Sequence, residues 1–247
     1  LDLEKNPKQI NTEFIVNEKF DYLSAQNKPQ GISSFVTIQE GCDKFCSFCV
    51  VPFTRGPEYS RPIKSILQEV ESLTINGAKE IVLLGQNVNA YEDLSSSKKS
   101  NIADLIQTIS ENEKVERIRY TTSHPINMSD ELIKLHSTNE KLMPFLHLPV
   151  QSGSSRILKK MNRKYDKDFY RRIINKLKFV NPNIEISSDF IVGYPGETDR
   201  DFYETIDLIE ELKFTQSFSF IFSPRPGTKS ATQNDKTPLS IKKERLL

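Results

Sequence analysis

The sequence predicts an α/β protein, an open partial (β/α)6 barrel with parallel strands. Six short apolar segments alternate with helix-periodic segments, which is typical of parallel strands joined by right-handed crossovers. Six units are too few for the closed barrel of eight. The alternative, a flat doubly wound sheet, is disfavoured because no G-x-G-x-x-G motif follows the first strand.

The strands are indicated by short apolar runs flanked by polar or turn-forming residues. In chain order they are predicted at residues 34–39, 80–84, 117–122, 145–149, 184–192 and 217–222. Side chains alternate along a strand, so the last one places Phe218, Phe220 and Phe222 on one face.

The helices follow from apolar spacing and capping residues. Pro62 opens the first helix and Gly77 ends it. Ser129 and Thr198 are predicted N-caps of later helices, because their hydroxyls can accept from free backbone N–H groups. The other predicted helices cover residues 102–109, two basic segments within 154–179, and an amphipathic stretch at 241–247; residues 95–100 form a surface loop.

The composition is typical of a globular protein, and the net charge of the whole chain is close to zero. The chain has 247 residues, 34 basic and 33 acidic, so its net charge of +1 does not advertise a nucleic-acid partner. No apolar run is long enough to cross a bilayer, and the first residues lack a signal-peptide core, so we expect no membrane partner and a cytoplasmic location. We expect a fragment, because Leu1 is not methionine and the chain ends within a predicted helix.

Three cysteines lie in one loop after the first predicted strand. Cys42, Cys46 and Cys49 form a C-x3-C-x2-C motif and are the only cysteines of the chain. The spacing favours a [4Fe-4S] cluster with one open iron, since no fourth ligand pair is evident for structural zinc. Zinc and an incidental group of buried thiols remain alternatives, whereas an odd count disfavours disulfides.

Polar segments follow all six predicted strands, and all but one of them contain glycine. They include residues 85–87, 122–125, 151–153, 193–197 and 223–227, besides the cysteine loop. The carboxyl ends of parallel strands meet at one rim, where active sites of such folds are built. We therefore expect the cysteine loop to belong to an active face.

These segments resemble the MiaB-type tRNA methylthiotransferases, which are radical S-adenosylmethionine (SAM) enzymes. The resemblance rests on the cysteine motif and on residues 40–42, 49–56, 83–89, 121–125, 145–153, 187–197 and 220–228. It implies a radical SAM core at 33–228, preceded by a lead-in at 1–32 from a missing N-terminal domain. Residues 229–247 would lead to a missing TRAM domain.

The resemblance also implies cofactors and a reaction. Cys42, Cys46 and Cys49 would each bind one iron of a [4Fe-4S] cluster, and SAM would complete the fourth. One electron, from a donor such as flavodoxin or ferredoxin, would cleave SAM. The resulting radical would remove hydrogen from C2 of an isopentenylated adenosine beside the tRNA anticodon, where a methylthio group is added. A second [4Fe-4S] cluster is expected on the missing N-terminal domain, and we expect a monomer.

Strand-end groups are the candidates for binding SAM. They are Gly85, Gln86, Asn87, Gln151, Ser152 and Asp189, each of which has the alternative of a loop cap or a satisfied buried group. Residues 193–197 are expected either to approach adenine or to form a turn. Phe45 and Phe48 shield the cluster or pack beneath it. His124 and His147 are substrate candidates, and His136 is a surface or core residue.

A basic stretch is the candidate for binding tRNA. Residues 156–178 hold ten basic and two acidic side chains, a local charge of +8, although a solvated helix face explains it as well. The phosphate-contact candidates are Arg55, Arg163, Lys164, Arg171 and Arg172, with Arg61 and Arg225 in addition.

Two alternatives remain open. A methylthiotransferase of the same family would act on another tRNA adenosine or on a ribosomal protein. A non-catalytic, zinc-stapled RNA-binding module is the alternative from a different class.

Overall fold

A computed structural model describes residues 31–95 and 99–247. Nearly all of the predicted lead-in, and half of the predicted loop at 95–100, therefore lie outside the described residues. Six parallel strands form the core: β1 (Ser33–Thr37), β2 (Glu80–Leu84), β3 (Arg117–Thr121), β4 (Phe145–His147), β5 (Glu185–Val192) and β6 (Gln216–Ile221).

The strands follow chain order around an incomplete barrel. One sheet has the order β1-β2-β3 and the other the order β4-β5-β6, all parallel. Between them, a parallel bridge links Ile118 of β3 to Leu142, which precedes β4. Within the described residues no ladder pairs β6 with β1. The prediction of an open, partial (β/α)6 barrel is confirmed.

Eight helices accompany the strands in the described part of the chain. They are α1 (Val51–Thr54), α2 (Ile63–Ile75), α3 (Ile102–Ser110), α4 (Asp130–Thr138), α5 (Ser155–Lys160), α6 (Lys167–Val180), α7 (Asp199–Leu212) and α8 (Leu239–Leu246). Ser129 and Thr198 cap α4 and α7 as predicted, because their hydroxyls accept from backbone N–H groups of the first turn.

The two faces of the sheets differ in burial. Val36, Ile81 and Ile118 are fully buried beneath the helices. The strand register places Phe35, Val82 and Arg119 side by side on the opposite face, where Phe35 is 66% exposed. Since strand residues alternate, this second face lines the barrel lumen. The lumen is partly polar and open on one side.

Four strand predictions run past the observed strand ends: 34–39, 117–122, 145–149 and 217–222. The predicted strand at 34–39 ends at Thr37, after which Gln39–Glu40 pairs with Tyr59–Ser60 in a small antiparallel ribbon at the rim. The predicted strand at 217–222 ends at Ile221. Phe218 and Phe220, within the strand, are half-exposed. Phe222 lies past the strand end and is buried against Tyr194.

The C-terminal residues pack on the barrel. Arg245 of α8 donates to Glu197 at 2.7 Å, and the Glu197 carboxylate also accepts from the Gly193 N–H at 2.7 Å. Ser230 donates its N–H to Ser47 O in the cysteine loop at 2.8 Å. Of the two interpretations of residues 193–197, these contacts support a turn. The Glu197 carboxylate in this turn binds Arg245 and so holds α8 in place.

Replacing Gly153 by alanine should destabilise the fold. Gly153 comes after β4 in the chain and lies against α7. An added Cβ would lie 2.4 Å from Glu204 O and 2.5 Å from the Thr205 Cα. Backbone atoms cannot swing aside, so overpacking should lower the free energy of unfolding by about 2 kcal/mol. Urea denaturation measures this change.

The matched control is Gly227→Ala. A Cβ at Gly227 meets nothing within 4 Å, although its φ is +81°. Its cost should be the backbone strain alone, about 1 kcal/mol. Equal losses for both variants would contradict the packing explanation.

Candidate functional site

The cysteine loop lies at the rim, directly after the Gln39–Glu40 ribbon. All three cysteines are free thiols; Cys46 is buried and the other two are partly buried. Burial raises the pKa of Cys42 to about 11 and also raises the pKa of Cys49. The Cys42 and Cys49 thiols are thus neutral until a metal displaces their protons. Within residues 31–95 and 99–247, no three His, Cys, Asp or Glu side chains are grouped as a single-ion site.

The cysteine loop is fixed to the end of α5. The Ser47 N–H donates to Met161 O at 3.0 Å and the Ser47 hydroxyl to Lys160 O at 2.9 Å. Asn162 donates its side-chain amide to Phe45 O at 2.8 Å, next to a left-handed Phe45 backbone with φ of 48°. These contacts hold the middle of the loop in one place.

The start of the loop is fixed to the rim of β2. The Gly41 N–H donates to Gln86 Oε1 at 2.6 Å, and Gln39 Nε2 donates to Gly41 O at 2.8 Å. The Asn87 N–H in turn donates to Gln39 Oε1 at 3.0 Å. Gln86, predicted to bind SAM, thus uses its side-chain oxygen to position the cysteine loop.

A group of unsatisfied polar atoms lies where β2 and β3 end. Asn87 Oδ1, Ser123 Oγ and His124 Nε2 are buried without a hydrogen-bond partner among the described residues. Asn89 links the two loops by exchanging hydrogen bonds with the His124 backbone. Buried polar atoms are ordinarily paired, so we call this set the polar corner and expect it to receive a ligand or water.

His124 is a neutral donor in the polar corner. Its Nδ1 accepts the Ile126 N–H at 3.3 Å, which leaves the proton on Nε2. Burial, with Arg163 and Lys44 nearby, lowers the pKa of His124 to about 2. Ser123 was missed by sequence reasoning as a separate candidate, because a lone serine in a loop gives no signal.

The remaining predicted SAM residues have different surroundings. Asp189 lies on the lumen face of β5, with its carboxylate 3.6 Å from His147 Nε2. The backbone of Gln151 pairs with β5 beside it, in a left-handed conformation with φ of 78°. Ser152 points to the helix side instead, since its hydroxyl lies 3.4 Å from Thr205 Oγ1 and accepts the Ser154 N–H.

The predicted tRNA contact of Arg163 is wrong. Its guanidinium is buried, with Nη2 donating to Pro149 O at 2.8 Å, Nε to Tyr165 Oη at 2.8 Å and Nη1 to Cys46 Sγ at 3.4 Å. A phosphate cannot reach it. Sequence alone does not show which basic side chains of the stretch are buried and which are exposed.

Acidic partners compensate much of the basic stretch. Asp201, Glu204 and Glu211 of α7 form ion pairs with Arg156, Lys167 and Arg171 respectively. Lys164 and Arg172 are exposed. Arg55 at the rim has a side chain 60% exposed, 3.5 Å from Glu40. The local charge of +8 is therefore not a free positive surface.

His136 is a core residue. Its Nε2 lies 2.7 Å from the Tyr120 hydroxyl, between α4 and β3. Burial lowers the pKa of His136 to about 4, so it remains neutral at physiological pH. His136 therefore connects α4 to β3 in the core and has no role at the rim.

Comparisons with known proteins agree with this architecture. The profile of the radical SAM superfamily matches residues 36–209. Proteins named tRNA-2-methylthio-N(6)-dimethylallyladenosine synthase from Rickettsia canadensis (strain McKiel) and Rickettsia felis (strain ATCC VR-1525 / URRWXCal2) are each 56% identical over 238 residues, 96% of this chain. The matches cover 53% and 54% of those proteins, so the chain spans about half the length of the curated relatives it matches.

Solved structures show the same fold at low identity. The radical S-adenosylmethionine methyltransferase TsrM from Kitasatospora setae superposes with a TM-score of 0.65 at 18% identity, over 81% of this chain and 39% of that one. Methylornithine synthase (PylB) has a TM-score of 0.57 at 16% identity, over 87% of this chain and 62% of that one. No described helix has the length and apolarity required to cross a membrane.

Proposed function

The chain belongs to the radical SAM superfamily, and on that premise we propose that it is the core of a tRNA methylthiotransferase. Its product would carry a methylthio group at C2 of an isopentenylated, or dimethylallylated, adenosine beside the anticodon. The observation that carries the proposal is the position of the cysteine loop, fastened to the rim of a parallel partial barrel next to the polar corner. The 56% identity to synthases named for that product supports the substrate.

The residues present fit a three-cysteine [4Fe-4S] cluster. Cys42, Cys46 and Cys49 would hold it, since all three are free and share one fixed loop. Three ligands leave one iron open for SAM. When bound, the cluster supplies the electron that cleaves SAM, and the cleavage product removes hydrogen from the substrate.

The rim also fits SAM. The polar corner offers an acceptor at Asn87 Oδ1, a hydroxyl at Ser123 and a donor at His124 Nε2, none of them otherwise engaged in the described structure. Across the lumen, Asp189 offers a carboxylate beside the backbone of Gln151. These groups would orient SAM, and the buried strand faces beneath would keep water from it.

The other partners belong to the same proposal. tRNA would approach the rim, where Arg55 and the exposed Lys164 and Arg172 are the remaining phosphate candidates. We further propose a monomer, working in the cytoplasm with a flavodoxin or ferredoxin. A second [4Fe-4S] cluster, on a domain outside this chain, would donate sulfur, so the chain alone should not form the methylthiolated product.

Deuterium transfer tests the substrate. Anaerobically reconstituted, dithionite-reduced chain is mixed with SAM and an anticodon stem-loop deuterated at C2 of its N6-dimethylallyladenosine. Deuterium in 5′-deoxyadenosine is the expected result. Equal transfer from an unmodified adenosine would favour another tRNA target. No transfer, with turnover on a ribosomal peptide instead, would contradict the proposal.

Replacing Gly41 by alanine should weaken metal uptake. Gly41 has φ of +77°, and a Cβ would lie 2.0 Å from Pro57 O, so the start of the cysteine loop must move. Displaced supporting contacts typically reduce metal affinity 10- to 100-fold, and we expect about that loss of iron binding. Iron titration with spectroscopic detection measures it.

Gly77→Ala is the control for this change. Gly77 also has a positive φ, +101°, but a Cβ there meets nothing within 4 Å and lies after α2. It should cost about 1 kcal/mol of stability and leave iron binding unchanged. Unaltered iron affinity in Gly41→Ala would show that the loop start does not position the ligands.

A further inference from the structure

Arg163 is a buried cation, and in the described residues none of its hydrogen-bond partners is a carboxylate. It is 5% exposed, and its donors go to a carbonyl, a phenol and a thiol. Other buried arginines differ: Arg61 lies 2.6 Å from Glu69, and Arg245 lies 2.7 Å from Glu197. In the described part of the chain, no carboxylate forms an ion pair with Arg163.

A buried charge without a counter-charge is costly for a fold. One of its partners can become anionic, because a cysteine that ligates a metal does so as thiolate. Cys46 Sγ lies 3.4 Å from Arg163 Nη1, within hydrogen-bond distance for sulfur. A thiolate at Cys46 would supply the missing anion if Cys46 held a metal.

The chain holds the guanidinium rigidly toward Cys46. Asn162 and Lys164, on either side of Arg163, both have left-handed backbones, with φ of 59° and 60°. The guanidinium stacks over the Tyr165 ring at 5.2 Å, and the Tyr165 hydroxyl donates to Val150 O at 3.0 Å. This orientation is set by the turn that also anchors the cysteine loop.

We infer that Arg163 is a positioning residue for the metal centre: its guanidinium is the counter-cation of the thiolate-held cluster and donates a hydrogen bond to the Cys46 sulfur. The inference rests on the proposed function. Reduction adds negative charge to the cluster, and a buried cation favours the more negative state. Arg163 thus makes the cluster easier to reduce and harder to lose.

Neutral substitutions of Arg163 test this role in anaerobically reconstituted chain. Arg163→Gln keeps an amide donor without charge, and Arg163→Met removes both. Three quantities are measured: iron and sulfide per chain, the midpoint potential by EPR-monitored titration, and the rise in thermal midpoint on loading the cluster. We expect a more negative potential in both variants, a smaller rise on loading, and cluster loss about tenfold faster than in wild type.

Arg200→Met is the matched control, because Arg200 has a side chain 89% exposed on α7. It should match wild type in all three measurements. A purely structural role of Arg163 would lower the thermal midpoint of apo and loaded chain equally. That equal lowering, or an unchanged potential in the neutral variants, would overturn the inference while leaving the proposed function intact.

Two further results also decide the matter. If Arg163→Met does not fold, Arg163→Gln and Arg163→Lys replace it. Arg163→Lys keeps the charge and should have a potential between those of wild type and Arg163→Gln, whereas equal potentials in all would refute the counter-cation. Wild-type chain that takes up zinc and no iron would overturn the proposed function, and the inference with it.

Discussion

Cys46→Ala should abolish reductive cleavage of SAM, with a loss of at least about 1000-fold, because the proposed cluster would lose one of the three cysteines that would hold it. The fold should persist, since the main hydrophobic core, built from residues such as Ile81, Leu105 and Ile174, does not include Cys46. The measurement is 5′-deoxyadenosine formed by the reduced, iron-loaded chain, with circular dichroism to check folding.

Ser137→Ala is the control for the Cys46 substitution. Ser137 is an exposed residue of α4, and its hydroxyl donates only to Lys134 O. This variant should bind iron and cleave SAM as wild type does. Cleavage retained in Cys46→Ala would show that Cys46 is not a ligand.

Asp201→Ala should lower the free energy of unfolding at neutral pH by about 3 kcal/mol, through loss of buried charge-assisted hydrogen bonds and a helix cap. Asp201 is buried, and its carboxylate accepts from Ser154 Oγ at 2.6 Å, from Arg156 Nε at 3.1 Å and from the Thr198 N–H at 2.8 Å. One side chain thus joins α5 to the N-terminus of α7.

The effect of Asp201 should depend on pH. Burial alone would raise the pKa of Asp201, but hydrogen bonds from Arg156, Ser154 and Thr198 outweigh it and hold the pKa well below its usual range. A carboxyl with a depressed pKa stabilises the fold fully above its unfolded pKa, about 3.9, and loses that contribution as the pH falls further. The difference in free energy of unfolding between wild type and Asp201→Ala should therefore become smaller only below about pH 4.

Urea denaturation at pH 7, 5 and 3 measures this dependence. Asp207→Asn is the control, because Asp207 is exposed on the same helix. It should change stability by less than about 0.5 kcal/mol at each pH. If wild type and Asp201→Ala already had similar free energies of unfolding at pH 7, the proposed role of Asp201 would be contradicted.

The architecture and the cysteine loop were predictable because their signals are local. Strand-helix alternation and the spacing of Cys42, Cys46 and Cys49 are written in consecutive residues. The end of β1 at Thr37 was not predictable, since Gln39–Glu40 pairs with Tyr59–Ser60, which lie far along the chain. Long-range pairing leaves no trace in local periodicity.

The roles of charged residues were the least predictable part. Arg163 and Arg171 stand in the same basic stretch, yet Arg163 donates to Cys46 and Arg171 pairs with Glu211 of α7. Sequence alone cannot assign these partners, because tertiary packing chooses them. Ser152 shows the same limit, since its side chain, predicted to lie at the rim, contacts Thr205 of α7 instead.

Metal and acid-labile sulfide analysis of anaerobically reconstituted chain decides whether Cys42, Cys46 and Cys49 hold a cluster that is open to SAM. We expect about four irons and four sulfides per chain, and 5′-deoxyadenosine when dithionite and SAM are added. One zinc without iron, or a full complement of iron that leaves SAM intact, would contradict this expectation.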